Sequence, residues 1–211
     1  MKTILVGGSL ALASSALAFS NVGVFSGSLN DNFESYPDYN NGGTYTSMAV
    51  MGGAATFTGN PDGSPGMWVV NVNTTFWGLG GNGSGGANSG VQSLGFYDGG
   101  IGPTITLTFA NAVTDFGGYW QTCDSNYGNV NVSFYDAGNN LIGTDSWVQA
   151  GNAFQWRGWS DAGGIKTMVL TGNSAPIVDD ITANGAVPEP ASMAALGLGI
   201  ATLIRRRAKK A

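Results

Sequence analysis

Thr104-Ile105-Thr106-Leu107-Thr108-Phe109 places Ile105, Leu107 and Phe109 on one side of an extended chain and three threonines on the other. Side chains alternate across a strand with period 2, so this stretch predicts a β-strand with one buried face and one wet face. The alternation recurs in Val130, Val132 and Phe134 against Asn131 and Ser133. Asp136-Ala137-Gly138-Asn139-Asn140 follows as a turn and Leu141-Ile142 begins a return, which predicts a β-hairpin.

Outward from these two units, strands are expected over 54–58, 67–72, 91–96, 113–120, 146–149, 154–159, 165–170 and 177–182. Gly, Asn, Ser and Thr dominate, helix formers are few, and no long amphipathic helix is visible. Ten or so short strands separated by turn clusters predict an all-β fold, a jelly-roll-like β-sandwich in preference to a smaller immunoglobulin-like one. The run from Gly78 to Gly90 carries too little side chain to pack and reads as a loop. No Gly-Lys-Ser/Thr follows it, so a phosphate-cradling role is set aside.

Both ends of the chain read as targeting signals. Lys2, an apolar stretch from Ile4 to Leu12, and Ala16-Leu17-Ala18 form a signal peptide over 1–18, an N-terminal helix to be cut after Ala18 by signal peptidase. At the other end stand Val187-Pro188-Glu189-Pro190, an uncharged run over 191–204, and Arg205-Arg206-Arg207 followed by Lys209-Lys210. The basic end should remain cytoplasmic. The 14 apolar residues form a hydrophobic helix shorter than the roughly 20 that span a bilayer comfortably, which favours transient inner-membrane insertion over a lasting anchor.

The order of these parts resembles the PEP-CTERM sorting signal of bacterial exported proteins. That resemblance implies recognition of Val187, Pro188, Glu189 and Pro190, with Arg205, Arg206 and Arg207, by exosortase, a membrane-embedded cysteine protease. It also implies a cell-surface or extracellular-matrix location after processing of the 187–211 tail.

Between the signals lie residues 19–186, one domain by length. It holds twelve carboxylates against Arg157 and Lys166, a net charge of −10. Such a surface repels phosphate backbones, so nucleic acid is excluded as a partner. Cys123 is the only cysteine and reads as a small packed hydrophobe, so no internal disulfide forms. The chain has no histidine, which removes the usual base of Ser-His-Asp and Cys-His mechanisms and the usual ligand of catalytic zinc. Glu34 is the domain's sole glutamate, and no aspartate pair is marked as an acid/base couple.

Oxygen-rich acidic chemistry suits calcium instead. Asn30-Asp31-Asn32-Phe33-Glu34 and Ile177-Val178-Asp179-Asp180-Ile181 resemble the first- and last-strand motifs of calcium-bearing jelly-roll carbohydrate-binding modules. The resemblance implies an ion between Glu34 and Asp179, with Asp180 the alternative ligand because period 2 puts Asp179 with Ile177 and Ile181 on the buried face. The other reading of these acids is solvated edge charge.

Six tryptophans offer a second chemistry, since an exposed indole stacks on sugar rings. Trp77 abuts the glycine-rich loop. Period 2 separates Phe154, Trp156 and Gly158 from Gln155, Arg157 and Trp159, and the company of Gln155 and Arg157 marks Trp159 as the exposed ring. The sequence thus reads as a non-catalytic exported β-sandwich of the cell surface, associated with exopolysaccharide. A lectin-like carbohydrate-binding module is the alternative, and a glycan-active enzyme the third reading.

Overall fold

The computed structural model describes residues 19–59, 66–73, 86–96, 104–122, 129–148, 153–172, 176–186 and residue 200. Among these residues the chain forms twelve strands: β1 Ser20–Asn21, β2 Leu29–Asp31, β3 Thr44–Tyr45, β4 Ser47–Val50, β5 Ala55–Thr58, β6 Met67–Asn71, β7 Gln92–Phe96, β8 Thr104–Thr122, β9 Val130–Tyr135, β10 Leu141–Trp147, β11 Gln155–Gly172 and β12 Pro176–Ala186. Their pairings are antiparallel throughout. The all-β class and the β-sandwich form agree with the sequence reading.

The sandwich is built around two long strands. β8 and β11 run 19 and 18 residues and pair with one another along both halves. Residues 104–109 of β8 lie between β5 and the end of β11, whose other neighbour is β9 and then β10. Residues 113–122 of β8 lie between the start of β11 and β12, which continues through β7 and β6 to β3. One continuous sheet therefore folds over into two layers, with corners made by strands that pass from one layer to the other.

The corner of β11 has a visible cause. Its pairing with β8 shifts between Ser160 and Ile165 and again before Thr167. Gly164 adopts φ +98 there. The buried Asp161 carboxylate accepts the Gly163 and Gly164 amides at 2.8 and 3.1 Å, holding the bend. Lys166 Nζ donates to the Ala110 carbonyl at 2.8 Å, tying the two corners together.

The alternation read from the sequence fills the space between the layers. Ile105, Leu107 and Phe109, and Val130, Val132 and Phe134, are all buried. Rings from opposite layers meet at centroid distances of 5.4 Å for Phe57–Phe96, 4.9 Å for Phe134–Trp159 and 5.8 Å for Trp120–Trp147.

Several strand boundaries differ from expectation. The stretches 104–109 and 113–120 are halves of one strand, as are 154–159 and 165–170, because the intervening glycines and polar residues make a bend and not a turn. The expected 146–149 strand is the end of β10. The strands β1 to β4, two to four residues each, are too short to show a period. The signal helix, the hydrophobic helix of the tail and Cys123 lie outside the described residues. Among the described residues no helix is long and apolar enough to cross a membrane.

Candidate ligand-binding cleft

Pairing register aligns Asp179 of β12 with Tyr119 of β8, and Tyr119 with Trp156 of β11. Directly opposed residues share a face, so these three form a row across three strands on the outer side of their layer. Beside this row opens a cleft of about 790 Å³, lined among others by Phe25, Asn30, Asn88, Tyr119, Trp156 and Asp180. Its walls are the segment around β2 on one side and the segment before β7 on the other.

Glycines let the Trp156 indole lie flat against the sheet. A Cβ on Gly117 would stand 2.6 Å from Trp156 Cζ2, and one on Gly158 would stand 2.8 Å from its Nε1. The ring is then fixed edge-on by Phe25 and Tyr119, with centroids at 5.5 and 5.3 Å, and donates Nε1–H to the Val22 carbonyl at 3.1 Å. Half-buried on an aromatic shelf, Trp156 keeps a fixed orientation at the cleft.

The polar side is equally fixed. Asp180 sits at φ +48, where pairing between β12 and β8 shifts between Asp179 and Thr182. This bulge breaks period 2: Val178 and Ile181 enter the core while Asp179 faces away from it. The Asp179 carboxylate, fully buried, accepts the Asn88 and Ser89 amides at 2.7 and 3.0 Å and the Asp180 amide at 2.7 Å. Burial pushes its carboxyl up to about 7, and the Asp180 charge adds to the rise while the Ser89, Asp180 and Asn88 amides oppose it. Asp180 in turn accepts from Asn88 Nδ2 and Ser89 Oγ, each at 2.7 Å. On the opposite wall, Asp31 accepts from the Phe33 amide, the Tyr36 hydroxyl and the Met51 amide. Burial, then Asp31, pushes the Tyr36 phenol upward.

The early and late acidic motifs do meet, since β2 pairs with β12 from Asp31↔Ile181 to Leu29↔Ala183. Glu34, Asp179 and Asp180 all reach the segment from Asn88 to Gln92, Glu34 by accepting the Val91 and Gln92 amides at 2.6 Å each. The groups facing these oxygens are mostly N–H donors, where calcium needs oxygen ligands. Among the described residues no three Asp, Glu, His or Cys side chains are grouped to hold a metal. The donor set does not fit the calcium that the motif resemblance implied.

Trp159 requires a correction. Period 2 separates the two strand faces, but the face of Gln155, Arg157 and Trp159, expected to be wet, points inward. Trp159 is fully buried among Phe116, Trp120, Phe134 and Trp147, and its Nε1 donates to Asp145 at 3.0 Å. Arg157 tolerates the inner face because its guanidinium lies over the Trp147 ring, 5.2 Å from the centroid. Among the described residues Trp156, on the face of Phe154 and Gly158, is the tryptophan at the cleft. Trp77 lies outside the described residues. Tyr119 and Asn88 carried no sequence signal, because cross-strand register places Tyr119 and hydrogen bonds to Asp179 and Asp180 place Asn88, while Asn30 was marked only as part of the early acidic motif.

Similar solved structures include the K2 cleaved adhesin domain of Lys-gingipain, 15% identical with a TM-score of 0.48, covering 73% of this chain and 97% of that one. The CBM22-1 xylan-binding domain of Paenibacillus barcinonensis Xyn10C is 15% identical with a TM-score of 0.39, covering 78% and 100%. CsCBM6-3 of Clostridium stercorarium, solved with cellobiose, is 15% identical with a TM-score of 0.37 and the same coverage. No curated protein matches by sequence. The tail gives the identification: residues 186–208 match the PEP-CTERM protein-sorting motif, so this chain carries the sorting signal of an exported, surface-associated protein.

Proposed function

We propose that the domain is a non-catalytic glycan-binding module, displayed at the cell surface or in exopolysaccharide after exosortase has processed the tail. One observation carries this reading: a half-buried tryptophan, oriented by aromatic neighbours, beside a cleft whose polar lining includes Asn30, Asn32, Asn88, Ser26, Ser35, Asp31 and Asp180. A sugar presents C–H surface on its faces and hydroxyls at its edges, which an indole and amide or carboxylate oxygens match respectively. Asp31 and Asp180 both line the cleft, but their oxygens are engaged in holding its walls through hydrogen bonds to Tyr36, Met51, Asn88 and Ser89. That structural use favours binding over a two-carboxylate hydrolysis.

The test is a glycan array followed by titration calorimetry on the best ligand. Trp156→Ala should weaken binding by about 1–3 kcal/mol, roughly 5- to 150-fold, by analogy with the alanine costs of stacked aromatic anchors. Unchanged affinity would move the site away from the cleft, and release of reducing sugar during incubation would make the domain an enzyme.

A further inference from the structure

Resting on the glycan-binding reading, we propose that this cleft is a charge filter, which admits uncharged glycans and rejects uronate-bearing or sulfated ones. Asp31 and Asp180 line it, Asp179 lies under the Asn88 wall, and Glu34 is held on that same wall by the Val91 and Gln92 amides. The domain has only two cations with which to balance an anionic ligand. Neither reaches the cleft. Lys166 is spent on the Ala110 carbonyl at the sandwich corner. Arg157 follows Trp156 directly, yet the pleat turns it through to the opposite face, where it covers Trp147. The residue best placed in sequence to greet a carboxylate beside the stacking ring is therefore inside the sandwich.

The hydrogen-bonding groups suit a neutral sugar. Asn30, Asn32 and Asn88 supply amide groups, and Ser26 and Ser35 supply hydroxyls. A carboxylate or sulfate on the ligand brings only acceptors, and adds like-charge repulsion inside a partly desolvated cleft. The domain's net charge of −10 acts in the same direction at longer range.

The experiment uses the full chain in detergent and matched polysaccharide pairs that share backbone stereochemistry and differ by oxidation at C6: β-1,4-mannan with β-1,4-mannuronan, and β-1,4-glucan with β-1,4-glucuronan. Affinity is read at about 10 mM and at about 1 M salt, where the screening length falls from about 30 to about 3 Å. The uronate member of any bound pair should bind at least tenfold more weakly at low salt, and the gap should narrow at high salt. Asn30→Lys, an exposed change in the cleft wall, should narrow it at low salt. Equal or stronger binding of the uronate at low salt overturns the filter while leaving the glycan site standing. Binding of neither member of every pair, or binding insensitive to Trp156→Ala, overturns the glycan site and the filter with it.

Discussion

Asp179 shows what a single buried carboxylate does to this domain. Its folded value of about 7 lies above the ordinary 3.8, with burial the leading cause. The charged group beside it is Asp180 on its own strand, the Asn88 and Ser89 amides face it from the segment before β7, and Tyr119 is its register partner. Because the folded value is raised, its contribution to stability is complete below about pH 4 and is lost as pH rises to about 7. A shift of this size corresponds to something on the order of 4 kcal/mol. Denaturant titrations from pH 4 to pH 8 should show that loss, and Asp179→Asn should remove it, since the amide has no charge to desolvate. Parallel curves for the two proteins would show that Asp179 is not the titrating group. The same N–H donors bear on metal: EDTA should leave the melting temperature unchanged, whereas a drop restored by added calcium would return these acids to the role implied by their motif.

Among the elements, the bend of β11 decides whether the two layers close. Asp161 accepts two amides of the corner, and Gly164 occupies a left-handed conformation that a side chain would strain. Asp161→Ala leaves both amides without an acceptor in a buried corner and should cost about 1–3 kcal/mol, read as a lower urea midpoint. Asp161→Asn retains an acceptor oxygen and should cost less. Equal losses for the two substitutions would mean that the negative charge, and not the acceptor, holds the corner. The β9–β10 hairpin is the opposite case, legible before folding. Asp136 accepts the Gly138 and Asn140 amides at 2.8 Å each, so the turn is encoded within five residues. Asn140 holds the Asp136 carboxyl below its ordinary range.

For the whole molecule, charge is divided by destination. Six of the eight basic residues lie outside residues 19–186, five of them in the tail, and the domain over 19–186 is left acidic. Processing of the PEP-CTERM tail should remove its basic end, so mass spectrometry of the surface fraction from the native host should find a chain lacking residues 205–211. Recovery of the intact C-terminus there would count against cleavage at the basic end.

The sequence by itself determined the sorting motif of the tail, the all-β class and the hairpin, because each is written in contiguous residues. An apolar run flanked by charge, a period of 2 and a five-residue turn need no distant partner to be read. It also carried the meeting of the chain's early and late acidic motifs, by resemblance. What only the tertiary structure decided is which face of each strand is wet. Period 2 separates Trp156 from Trp159 but does not say which of them is buried; the cation over Trp147 and the ring cluster around Trp159 do. Likewise the bulge at Asp180 turns Asp179 away from Ile181, and the row of Asp179, Tyr119 and Trp156 exists only through pairing between residues up to 60 positions apart. A cleft assembled by register across three strands has no local signature, since its members become neighbours only when the sheet forms.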